Sequence, residues 1–150
     1  MKKSNLEIGS WFILFLGIYT TVIALLWIFV TEIMFVSDFK WYTGQAFPDY
    51  LESNPDFAKI YIINKKLIGF MLLTIGLLIL LINQYAYRKG EKWSWFAIFI
   101  AGSIAWGTFI IYKIVIGYIG VSMITFALGA ALVFLGIIFP IKEIFGKKTE

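Results

Sequence analysis

Residues 67–112 read LIGFMLLTIGLLILLINQYAYRKGEKWSWFAIFIAGSIAWGTFIIY. Two apolar runs, 67–87 and 93–112, flank a turn that carries Arg88, Lys89, Gly90, Glu91 and Lys92. Each run is close to the roughly 20 helical residues needed to cross a hydrocarbon core about 30 Å thick. Water is absent there, so every backbone N–H and C=O needs an internal partner, and a helix supplies one to each. The stretch therefore predicts two membrane-spanning helices joined by a tight basic turn, with Gly90 in the left-handed position that follows a helix C-terminus.

The same pattern recurs on both sides. An apolar run from Trp11 to about Val36 is interrupted only by Glu32, and another runs from about 119 to 139, where Pro140 marks a boundary before a short tail that suits the interface. At 61% hydrophobic residues and a mean hydropathy of +0.87, the chain is too apolar to hide its side chains in a soluble core. The expected fold is all-α: one domain, 1–150, forming a four-helix transmembrane bundle with antiparallel neighbours and a short helical outer loop over about 37–66. Asn54, Pro55 and Asp56 form a helix start signal of cap, first-turn proline and acid on the dipole. The second span is thus expected to begin outside the membrane and to enter it as one rod. A second helical piece is expected near Pro48. Its aromatics suit either an interfacial cap or a lid over an outward-opening cavity.

Lys2 and Lys3 before an apolar run resemble the start of a signal peptide, yet the run is too long and no small-x-small cleavage site follows it, so a retained first span is expected. Orientation follows from the basic residues. Lys2, Lys3, Arg88, Lys89, Lys92, Lys142, Lys147 and Lys148 fall on one side; Lys40, Lys59, Lys65, Lys66 and Lys113 fall on the other. The richer side is expected to be cytoplasmic, which puts both termini there. The net charge of +4 is spread along span ends, a pattern that orients helices and argues against a nucleic-acid partner.

With no Cys and no His, the chain lacks the groups for disulfides, thiolate nucleophiles, histidine haem ligation and nearly all transition-metal sites. No cofactor and no metal is expected. Mid-span polar residues are hydroxyls, Thr20, Thr21, Thr74, Ser103, Thr108 and Thr125, which can bond their own helix backbone. The span centres hold no titratable group and no internal proline, which argues against a proton-coupled transporter and an intramembrane hydrolase.

Small residues at helical spacing predict packing seams: Ala97, Ala101, Ala105 and Thr108 on span three, Gly69 and Gly76 on span two, and Ser122, Gly129 and Gly136 on span four. On that reading spans two, three and four form the close-packed unit and span one is tethered by the outer loop. Ionisable residues gather at the outer span ends, and Glu32, Asp38, Lys65, Lys66 and Lys113 make up the candidate outer-interface site. Glu32 and Lys113 could pair there if spans one and three are neighbours, since a partly buried charge without a partner is costly; otherwise the lysines snorkel to lipid phosphates. At the opposite end Asn83, with Arg88, Lys89 and Lys92, forms a candidate headgroup contact.

The run Arg88, Lys89, Gly90, Glu91, Lys92, Trp93, Ser94, Trp95 resembles the basic-x-Gly-x-x-Trp-x-Trp hairpin of uncharacterised small four-span prokaryotic membrane proteins. The resemblance covers the hairpin and the general layout, including the proline-bearing outer loop, and it implies no activity. Three functions are compatible with the residues. The first is a non-enzymatic lipid-binding protein or accessory subunit of a larger membrane complex. The second is an oligomeric transporter or channel for a small solute, which would need a cavity reaching Thr20, Thr74 and Ser103. The third is a lipid-modifying enzyme using Glu32 or Asp38 with Lys65 or Lys113. The partners expected are membrane lipids, with a larger complex or a homo-oligomer.

Overall fold

A computed structural model of the chain describes residues 4–146, with Val121 described by its backbone alone. Lys2, Lys3, Lys147 and Lys148, used above for orientation, lie outside the described residues. The described chain is all-helical: α1 (Asn5–Phe29), α2 (Thr31–Thr43), α3 (Phe47–Ser53), α4 (Pro55–Tyr85), a 3-10 turn (Tyr87–Lys89), α5 (Lys92–Ile116), α6 (Val121–Ile138) and α7 (Ile141–Phe145). Four helical segments are long and apolar enough to cross a membrane: α1, α4 with its 3-10 turn, α5, and α6 with α7.

The local signals act as expected at the hairpin, at Pro140 and at the first-turn proline of α4, whereas the Asn54 side chain makes no cap hydrogen bond and its amide donates instead to Ser53 Oγ (3.0 Å). Pro55 opens α4, whose 31 residues reach about 46 Å at a rise of 1.5 Å each, well beyond a hydrocarbon core of about 30 Å. Part of the helix therefore extends beyond such a core. Gly90 adopts φ 74°, the left-handed conformation a side chain would resist, and turns the chain into α5.

Two expectations need correction. The first span ends at Phe29, not near Val36. Val30 leaves the helix (φ −122°, ψ 40°), and the Thr31 hydroxyl donates to the carbonyl oxygens of Trp27 (2.7 Å) and Ile28 (3.2 Å) across the break. The apolar run continues past it because α2 buries a face of its own, with Thr31, Phe35, Asp38 and Phe39, against the rest of the end cap. Phe35, Phe39, Phe47 and Tyr61 meet there largely edge to face, with ring centres 4.7–6.1 Å apart. Hydropathy alone cannot separate a lipid-facing run from one that packs on its own cap.

The second correction concerns which helices meet. Span one is the centre of the bundle, packed along α4 and then α6, while α5 packs on α6 and touches α4 little. Gly69 and Gly76 serve α1: a Cβ at Gly76 would lie 2.6 Å from Thr21 Oγ1, and one at Gly69 would lie 2.8 Å from Ile28 Cγ1. On α6, Gly129 accommodates the Trp106 ring and Gly136 accommodates Ile13. The buried stripe on α5 is Ser94, Ile98, Gly102 and Trp106, beside the alanine row and not on it. Helices in lipid approach where backbone can meet backbone or a large ring, so the partner's shape decides which small residues form the seam.

Both described ends of the chain lie at one end of the bundle. The Glu143 carboxylate accepts from the backbone N–H groups of Asn5 (2.8 Å) and Leu6 (2.9 Å), so α7 caps the first turn of α1. The opposite end carries α2, α3 and the α5–α6 turn, where Trp41 lies 5.3 Å from Tyr118, centre to centre.

Candidate functional site

The end of the bundle that carries α2 and α3 holds a charge cluster built from three helices. Asp38 falls on the buried face of α2, and Lys113 ends the buried side of α5, fully enclosed at 0% exposure. The two are joined by an ion pair. Tyr118 and Phe126 cover the ammonium, their ring centres 5.0 and 5.7 Å from Lys113 Nζ. Burial would make either charge costly alone, and the pair satisfies both.

Glu32 is not the partner of Lys113. It lies six residues before Asp38 on the same helix, about 240° away around the axis at 3.6 residues per turn, and is exposed. It borders a shallow outer groove together with Lys66, Phe29 and Ile62. The helix break at Val30 sets this phase, and no reading of an unbroken span could supply it.

Lys65 stands one position and a different face away from Lys66. Its stem is half-buried, and its Nζ lies 4.9 Å from the ring centre of Tyr61, 5.2 Å from Tyr112 and 5.9 Å from Trp27. Each ring contributes cation–π attraction. Among the described residues no carboxylate forms an ion pair with Lys65.

Below Lys65 a cavity of about 300 Å³ opens between α4 and α5. Ile68, Met71, Leu72 and Ile75 line one side, Ile104, Ala105, Thr108, Phe109 and Tyr112 the other, and Trp27 and Phe126 close the inner wall. α4 packs on α1 and α5 on α6, and the two touch each other little, which leaves this space between them. Trp27 is 4% exposed, and its indole Nε1 is buried without a hydrogen-bond partner. On the other side of Trp27 and Phe126 a second cavity, about 250 Å³, is bordered by Ser37, Asp38, Tyr118, Ser122 and Thr125.

The residues proposed from sequence for the other end of the bundle are arranged differently. Asn83 is buried and its Oδ1 accepts from the Ser10 hydroxyl (3.2 Å). Arg88 donates from Nε to Ser10 Oγ (3.2 Å) and from a terminal nitrogen to Gln84 Oε1 (3.1 Å). Asn83 therefore faces α1 and not the headgroup layer, while Lys89 and Lys92 remain exposed at the turn. Thr20, Thr21 and Thr74 bond the carbonyl oxygens of Leu16, Gly17 and Phe70, as the hydroxyl reading expects. Thr20 is buried, Thr74 faces outward, and Ser103 borders a groove between α5 and α6.

The outer-interface set thus divides. Asp38, Lys113 and Lys65 come together near Trp27, whereas Glu32 and Lys66 face a separate groove. Trp27, Tyr61 and Tyr112 were not singled out from the sequence as site residues. Tyr61 and Lys65 at i, i+4 were the available signal for one of them; nothing distinguishes Trp27 from the chain's other tryptophans. No family model, curated protein or solved structure matches the chain.

Proposed function

We propose that the chain is a non-enzymatic, multi-pass membrane protein that binds lipid, alone or as an accessory subunit, with both termini in the cytoplasm. The observation that carries the reading is the apolar cavity between α4 and α5, open towards the surface that lipid would cover and headed by a lysine. Ligand sites are mostly apolar concavities with a few placed polar groups, and the cavity has that composition. The basic residues at the hairpin end, Arg88, Lys89, Lys92 and Lys142, support its assignment to the cytoplasmic side.

Native mass spectrometry of the protein extracted in mild detergent tests the reading. The wild type should retain phospholipid, and Ala105→Trp, which fills the cavity from α5, should release it while the protein still elutes as a folded species. Equal retention by the two would overturn the assignment of the cavity.

A second reading, an enzyme acting on lipid at the same end, is favoured by one observation: Asp38 borders the second cavity beside Lys113. Both groups are committed to each other and withdrawn from the surface, which leaves neither available as an acid or base. We rank it second for that reason.

A further inference from the structure

Three N–H donors stand at the head of an apolar cleft with no oxygen to receive them. They belong to the Lys65 ammonium, which among the described residues has neither an ion pair nor a hydrogen bond and is held in place by rings. Lys65 Nζ stands 5.9 Å from the centre of the Trp27 ring, which forms part of the cleft's inner wall. Aromatic faces attract a cation but accept no strong hydrogen bond, so the ring cage leaves these donors open. The nearest ion pair, Asp38 with Lys113, is neutral as a unit, so the local charge is that of Lys65. The complement of such a set is an acceptor-only, negatively charged group.

The cleft below supplies the rest of the ligand's shape. On α4 its lining runs from Lys65 to Ile75, about 15 Å of helix, which is half of a hydrocarbon core about 30 Å thick. It therefore matches the depth of one leaflet. Trp27 lies within a turn of the end of α1, so the donors sit at the boundary where lipid headgroups begin. Met71 and Ile104, on the two flanks, are 70% and 65% exposed, which leaves a lateral entrance. A volume of about 300 Å³ is at the small end for a ligand site and suits a single chain.

We propose that the α4–α5 cleft takes one acyl chain of an anionic membrane phospholipid, whose phosphate is held by the Lys65 ammonium. This rests on the lipid-binding reading above and names the class of lipid.

The test uses the full chain in phosphatidylcholine nanodiscs doped with lipids that share one diazirine-bearing acyl chain. The heads are phosphocholine, phosphatidate and, for the free amphiphile, a fatty-acid carboxylate. Crosslinks are mapped by mass spectrometry. Phosphatidate should label the cleft flanks at Met71 and Ile104 about tenfold more than phosphatidylcholine does, the factor given by one ordinary charge-assisted contact. Lys65→Gln should bring phosphatidate down to the phosphatidylcholine level, and Lys66→Gln, in the separate groove, should leave it unchanged.

No cleft labelling by any probe would overturn the lipid-binding reading itself. Labelling that ignores head charge in the wild type would overturn the anionic assignment alone, with no variant needed. A stronger preference for the fatty acid than for phosphatidate would overturn the choice of a phospholipid.

Discussion

Lys113, fully enclosed on α5, is ion-paired with Asp38 on α2, 75 residues away in the chain, so a helix outside the first span is tied to the third. Asp38→Asn should leave the lysine charged without a partner and lower stability by about 3–5 kcal/mol, as for other buried pairs that lose one member. Asp38→Asn with Lys113→Met should recover much of the loss. Glu32→Gln, at an exposed position, should leave the detergent melting temperature within error. Thermal unfolding of the four proteins checks all three statements together.

The α1–α4 contact depends on the absence of a side chain at Gly76. Gly76→Ala should destabilise by about 1–3 kcal/mol through overpacking, because the new methyl group meets both the hydroxyl and the backbone nitrogen of Thr21. Gly107→Ala on α5 meets nothing within 4 Å and should be neutral or stabilising by up to about 1 kcal/mol, the gain from Gly to Ala in a helix. Unfolding in mixed micelles of rising SDS fraction separates the two.

Ser10 sits between Asn83 and Arg88, donating to one and accepting from the other. Ser10→Ala should cost about 1–3 kcal/mol by leaving the buried Asn83 carbonyl oxygen unsatisfied. The same measurement on Lys89→Gln, at the exposed turn, should show no change. A loss confined to the lysine variant would mean that headgroup contact and not the interior bond matters at this end.

Glu143 holds α7 against α1 by two charge-assisted bonds to the first-turn amides. In Glu143→Ala the Asn5 and Leu6 amides should exchange with deuterium faster, while amides in the middle of α1 stay protected. The end contact is exposed, so the change should be local and the global melting temperature nearly constant.

Sidedness can be read directly because the chain has no cysteine. A single cysteine introduced at Lys89 should react with a membrane-impermeant maleimide only after the cells are opened, and one at Gln45, in the turn after α2, should react in intact cells. The reverse pattern would overturn the orientation proposed above.

Much of this molecule is written locally. The four spans, the entry of α4 from Pro55, the turn at Gly90 and the boundary at Pro140 all follow from backbone desolvation, caps and allowed φ values, each decided within a few residues. The pairing of Asp38 with Lys113, the break at Val30, the central place of α1 and the cleft beneath Lys65 were decided only in three dimensions. Lipid is as apolar as the side chains it meets, so hydrophobicity drives these helices into the membrane without choosing their neighbours. That choice falls to shape, such as Gly76 against Thr21 or Gly129 against Trp106, and the phase of each charge around its helix then settles which carboxylate the buried lysine meets.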